Sequence, residues 1–242
     1  KNTIYKVTKD GQKNKIINGI TDWVYEEEFG FVRAFEWSKD SKNLAFLRFD
    51  ESKVPEFSMD IVGEELYPKH QIFKYPKAGE INADVTLHIF NVVFKKSKKI
   101  ALGDYEYIPR IKWSNNENIL IATTLNRHQN NLKLHKVNAL KNSSSLLLNE
   151  TDNAYVDIHD NLTFLNDNSF IWTSEKDGYN HIYHYNFNGK LIRQITKGNW
   201  EVTKYYGYNN DSKTIYYQSV ENSSINRAVY SIGLNGQNKK LL

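Results

Sequence analysis

Asp22-Trp23-Val24-Tyr25-Glu26-Glu27-Glu28-Phe29 sets three carboxylates in a row behind an aromatic pair. On a β-strand, Glu27 and Glu28 would point to opposite faces. A turn or a short helix would let two of the carboxylates converge. Carboxylates about 5 Å apart repel each other by roughly 3 kcal/mol at an effective dielectric near 20. A bound cation removes that repulsion. The stretch reads as a receptor for a positive group such as an ammonium. A solvated acidic loop stays open as the other reading, because short charge runs usually lie in water.

Other reactive constellations are excluded. The chain has no cysteine, so disulfides, thiolate metal sites and a cysteine nucleophile are ruled out. His181 and His184 are three residues apart, which on a strand puts them on opposite faces and prevents a shared metal. No Gly-x-Ser-x-Gly occurs, so no nucleophile elbow is present. Nothing in the sequence calls for a metal or another cofactor. The net charge of +4 is weak and dispersed, which argues against nucleic acid as a partner. The one dense basic cluster, Lys95-Lys96-Ser97-Lys98-Lys99, falls between two strand-like runs and is predicted to be an exposed hairpin turn. No run approaches 18 apolar residues, so no membrane-spanning helix is predicted. The sequence begins at Lys1 without an initiator methionine, and a processed form or an excised piece is expected.

The elements that must position the acidic stretch are strands. Tyr, Phe and Trp make up 14% of the 242 residues, and rings suit strands. One unit recurs: an aromatic residue, then Ser or Asn, an Asp/Asn turn and a hydrophobic strand. It opens at Phe35-Glu36-Trp37-Ser38, Ile111-Lys112-Trp113-Ser114, Phe164-Leu165-Asn166 and Tyr208-Asn209-Asn210. A second half follows each opener, as a strand, a turn and another strand. Asp177-Gly178, Asn188-Gly189 and Asn235-Gly236 supply the positive φ that tight hairpins need. The openers Trp113, Phe164 and Tyr208 are 51 and 44 residues apart, the period of β-propeller blades. Trp37 and Trp113 are 76 apart, so the blade between them carries an insertion, roughly residues 51–86. The aromatic openers are expected in the blade cores. The predicted fold is all-β: about four β-propeller blades, with a leading half blade at Thr3–Gly19. A chain that starts in mid-blade is expected to be part of a larger propeller and to leave open sheet edges.

The joins between blades carry a further signal. Gly19-Ile20-Thr21-Asp22-Trp23-Val24-Tyr25-Glu26-Glu27-Glu28-Phe29 closely resembles the glutamate-motif segment of the dipeptidyl peptidase IV family. Val54-Pro55, Tyr67-Pro68 and Tyr75-Pro76-Lys77-Ala78-Gly79-Glu80 follow in that family's order. So do Glu175-Lys176-Asp177-Gly178-Tyr179 and Gly198-Asn199-Trp200-Glu201-Val202.

The resemblance covers nearly the whole chain and implies a partial N-terminal propeller of eight blades, residues 1–242. The catalytic α/β-hydrolase domain would lie outside this chain. It implies a serine exopeptidase that releases N-terminal X-Pro or X-Ala dipeptides. Carried over by position, Glu27 and Glu28 would bind the substrate α-amine, and Glu26 would not. The implied partners are peptides with a free N-terminus, the protein's own hydrolase domain and a second copy in a homodimer. A secreted or periplasmic setting is likewise implied. By itself the chain is expected to be inactive, since no part of the family's Ser-Asp-His triad matches it. Near Tyr155–His159 the family brings further residues toward its pocket. Val156-Asp157 do not match the family's aromatic–arginine pair there, so these residues stay outside the predicted site. A non-catalytic propeller that binds or scaffolds is the other reading.

Overall fold

The computed structural model describes residues 4–242. Thr3, where the expected leading half blade opens, lies outside them. The chain begins with β1 (Ile16–Asn18) and one short helix, α1 (Trp23–Glu28). β2 (Phe35–Trp37) and β3 (Asn43–Asp50) follow, then the hairpin β4 (Glu56–Ile61) and β5 (Lys69–Lys74), then β6 (Asp84–Asn91) and β7 (Lys96–Ile100). The next four strands are β8 (Tyr107–Trp113), β9 (Ile119–Leu125), β10 (Asn131–Asn138) and β11 (Ser143–Thr151). After them come β12 (Thr163–Phe164), β13 (Phe170–Ser174), β14 (His181–Tyr185) and β15 (Leu191–Gln194). The last four are β16 (Val202–Asn209), β17 (Thr214–Ser219), β18 (Ala228–Gly233) and β19 (Lys240–Leu241).

These strands form four antiparallel meanders, which are the four predicted blades. Three are simple: β8 to β11, β12 to β15 and β16 to β19 each pair in chain order. The first blade runs β2-β3-β6-β7, with the β4–β5 hairpin standing apart as its insertion. The described part of the leading half blade contributes one strand to this same sheet. β3 is eight residues long and β2 covers only Leu44 to Phe46, so β1 takes the rest of that edge, from Arg48 to Asp50. Filling the edge satisfies backbone groups that would otherwise be unpaired.

Burial follows position in the sheet. The central strands β9, β13 and β14 are buried throughout. The outer strand β7 is exposed except for Ile100. Here the structure corrects the expected basic turn. Lys96 to Lys99 lie in β7, and the turn is confined to the residues before it. Lysines on an outer strand keep a sheet edge from pairing with other chains, so the cluster is compatible with a strand.

The blades are stitched at equivalent repeat positions. Lys39 Nζ donates to Asn115 Oδ1, and Asn115 Nδ2 donates to the Leu165 carbonyl at 2.7 Å. Trp113 Nε1 donates to the Glu36 carbonyl at 3.0 Å, and Lys112 Nζ to the Leu162 carbonyl at 2.5 Å. Trp113 is therefore buried, as expected of an opener, and Phe164 and Tyr208 are half-buried. Trp37 is not: it is 47% exposed, and among the described residues its indole makes no such bond to a neighbouring blade. Gly189 sits at φ +78° against the preceding blade, where a Cβ would lie 1.8 Å from the Leu147 carbonyl oxygen.

Candidate functional site

The acidic stretch folds as one and a half turns of helix. Asp22 is its N-cap: the side chain accepts the Tyr25 N–H at 3.0 Å. Phe29 closes it, and Gly30 follows at φ +68°, the left-handed position at which helices commonly stop. Tyr25 and Phe29 are four residues apart, share one face and are both buried. The three glutamates take the remaining directions and are all exposed. At 3.6 residues per turn, Glu27 and Glu28 stand about 100° apart on the outer side. A strand would have set them on opposite faces instead.

Five contacts hold α1 in place. The Tyr25 hydroxyl accepts the Ile108 N–H at 2.8 Å, across to the second blade. Its ring meets Phe29 and Phe49 edge-on, with centroids 4.9 Å away in each case. Trp23 packs on Tyr75 at 4.3 Å, which ties the first turn to the base of the β4–β5 hairpin. Arg110, on β8, donates from Nη1 to the Phe29 carbonyl at 2.9 Å. That bond places a cation at the helix C-terminus, where the backbone dipole favours it.

Glu28 lies on the rim of a cavity of about 190 Å³ that also has Arg110, Gln129, Tyr155 and Asp157 in its wall. Glu27, the preceding residue of the helix, is exposed and does not line this cavity. Among the described residues, no Lys, Arg or His lies within 4 Å of the carboxylate of Glu26, Glu27 or Glu28. The second blade and the segment after it supply the opposite wall. Tyr155 donates its hydroxyl to Gln129 Oε1 at 3.2 Å, and Val156 N–H donates to the Gln129 carbonyl at 2.8 Å. Gln129 holds φ at +55°, a strained value for a residue with a side chain. Burial raises the Tyr155 phenol above its ordinary pKa, and the charges of Asp157 and Glu28 add to the rise. The cavity wall thus carries the Glu28 and Asp157 carboxylates together with the Arg110 guanidinium.

Tyr155 and Asp157 lie outside the site predicted from sequence, and the structure brings both into one cavity with Glu28. Gln129 and Arg110 gave no signal in the sequence. His159, beside them, is committed to structure: Nε2 donates to the Thr173 carbonyl at 2.8 Å, Nδ1 accepts the Asn161 N–H at 3.2 Å, and burial lowers its pKa to about 4. His181 and His184, the pair three residues apart, also have separate structural partners. His181 contacts Thr196 Oγ1 and the Gly198 carbonyl, each at 3.0 Å, and His184 contacts Ser169 Oγ at 2.8 Å. Among the described residues, no three His, Asp or Glu side chains converge as metal ligands. No described helix is long and apolar enough to cross a membrane.

Beneath the helix lies a second pair of acids. Asp22 and Glu51 are both buried, and burial is the main cause that raises each carboxyl above its ordinary pKa, Asp22 to about 6. The Asp22 charge raises Glu51 further, while Lys74 opposes that rise.

Four-stranded antiparallel blades in sequence, with a capped acidic helix joining the first blade to the strand before it, define a β-propeller with a charged pocket beside its blades. Comparison with known proteins gives the family. Residues 1–242 match the model of the dipeptidyl peptidase IV (DPP IV) N-terminal region, and the chain belongs to that family. The chain superimposes on the crystal structure of Porphyromonas gingivalis dipeptidyl peptidase 4 with a TM-score of 0.91 and 46% identity, over 97% of this chain and 34% of that one. It is 32% identical to "Probable dipeptidyl-aminopeptidase B" of Arthroderma gypseum over 99% of this chain and 29% of the relative. It is 30% identical to "Inactive dipeptidyl peptidase 10" of Mus musculus over 98% and 32%. The chain thus spans about a third of the length of the proteins it resembles.

Proposed function

We propose that this chain is the substrate-gating part of a dipeptidyl peptidase IV-like serine exopeptidase, which releases N-terminal X-Pro or X-Ala dipeptides. Glu27 and Glu28 anchor the α-ammonium of the substrate. The observation that carries this reading is the placement of both carboxylates, without a described cationic partner, on one capped helix whose Glu28 lines a cavity. A peptide ammonium offers three donors, and each charge-assisted bond contributes about 1.5–3 kcal/mol. Anchoring the amine measures the distance to the scissile bond, so that a longer N-terminal segment finds no room. Hydrolysis belongs to an α/β-hydrolase domain of the same protein, and the full protein acts as a secreted or periplasmic homodimer. Replacing Glu27 or Glu28 with Ala in the full-length protein should lower kcat/KM for Ala-Pro and Gly-Pro substrates by about ten- to a hundredfold, the worth of one such bond. Near-normal turnover contradicts the assignment.

One observation favours a second reading, a propeller that keeps the fold and binds without catalysis. A relative at 30% identity carries the name "Inactive dipeptidyl peptidase 10". The coding sequence downstream of Leu242 separates the two. A Gly-x-Ser-x-Gly within a hydrolase pattern supports the peptidase, and its loss supports the binding module.

A further inference from the structure

Arg110 shares a cavity with Glu28, yet no ion pair joins them within 4 Å. Its donors are committed elsewhere. Nε and Nη2 donate to Asp160 Oδ1 and Oδ2 at 2.5 and 3.3 Å. Nη1 donates to the carbonyls of Phe29 and Pro109 at 2.9 and 2.8 Å. The Phe31 ring lies against the guanidinium, 5.3 Å from its carbon to the ring centroid. The Asp160 side chain is 76% exposed, so the pair adds little to the stability of the fold. Its geometry is nonetheless that of a fork on a carboxylate, which fixes the direction of a guanidinium more firmly than a single contact does.

We propose that Asp160 is a positioning residue for the ammonium anchor: it holds Arg110 on the Phe29 carbonyl and so keeps a competing cation off Glu28. The inference rests on reading Glu27 and Glu28 as the ammonium site. Arg110 has a long flexible stem, and Glu28 is a carboxylate in the same cavity, with Asp157 the other. Without Asp160 the guanidinium turns to Glu28. As part of the same chain it competes at high effective concentration against a substrate amine arriving from solution. Asp160 also keeps Arg110 on the carbonyl that follows Glu28 in the chain, so one carboxylate serves both to hold the helix end and to leave the anchor open.

The test uses the full-length protein, an Ala-Pro substrate with a free amine and its desamino analogue, propionyl-Pro. The readout is the ratio of the two kcat/KM values, or of the two dissociation constants for the corresponding ligands. Asp160→Asn should lower this ratio about tenfold, the loss of one charge-assisted bond to the amine. The double variant Arg110→Gln/Asp160→Asn should recover most of it, because the competitor is gone. A purely structural pair predicts the reverse order, with the double variant no better than the single one. An unchanged ratio in Asp160→Asn, or no recovery in the double variant, overturns the inference. Asp160→Ser gives the same comparison should the Asn variant fold poorly. Glu28→Gln separates the two levels of argument. If it keeps the full ratio, the anchor reading itself has failed; if it loses the ratio while Asp160→Asn does not, only the role of Asp160 has failed.

Discussion

Asp22→Asn should stabilise the protein at neutral pH and do nothing at acid pH. Asp22 is 8% exposed and burial lifts its pKa from 3.8 to about 6. A folded-state value above the unfolded one means that the folded chain binds the proton more tightly. The favourable contribution is complete below about pH 4 and is lost as pH rises through about 6. At 1.36 kcal/mol per pH unit, the ionised carboxylate costs about 3 kcal/mol at pH 7. Asparagine caps a helix as well as aspartate does, so the Tyr25 N–H keeps its acceptor while the buried charge disappears. Removing that charge also relieves Glu51. Thermal unfolding of the full-length protein between pH 4 and pH 8 measures the effect. The midpoints of wild type and variant should coincide near pH 4 and separate by several degrees in favour of the variant above pH 6.5, at about 2–4 °C per kcal/mol for a unit of this size. A variant less stable than wild type at pH 7, or a gain equal at both ends of the range, refutes the reasoning.

Two further substitutions test the scaffold. Tyr25→Phe leaves the buried Ile108 N–H without its acceptor, and should cost about 1–3 kcal/mol in unfolding free energy; an unchanged denaturant midpoint shows that the hydroxyl contributes nothing. Gly189→Ala drives a methyl group into the Leu147 carbonyl at the join between two blades, and should cost more than Tyr25→Phe does; a variant as stable as wild type contradicts the contact.

The blades were legible in the sequence because their signal is repeated. Openers such as Trp113, Phe164 and Tyr208 recur about once per blade, and Asp177-Gly178 and Asn188-Gly189 mark hairpins that adopt the required positive φ at both glycines. Glu26, Glu27 and Glu28 were visible as a charge run, but their arrangement was not. Six residues of helix are too few for a periodic pattern, so periodicity did not choose between a turn and a helix. The Asp22 cap and the Gly30 stop are the two local signals that decide it. Arg110, Gln129, Tyr155, Asp157 and Asp160 come from later blades, and only the folded sheets bring them to residues 22–29. The lysines of β7 misled for a different reason. A run of like charges reads as a turn, whereas an outer strand tolerates it because one edge faces water. Trp37 shows the converse: an aromatic opener is buried only where a neighbouring blade covers it.

The central claim is that one helix offers two carboxylates to a single ammonium. The most direct measurement is a crystal structure of the full-length protein with a bound Ala-Pro dipeptide. The dipeptide nitrogen should lie within about 3.2 Å of carboxylate oxygens of both Glu27 and Glu28, with Arg110 still on Asp160. A dipeptide whose amine contacts neither glutamate, or an α1 whose two carboxylates turn to solvent around it, contradicts the account.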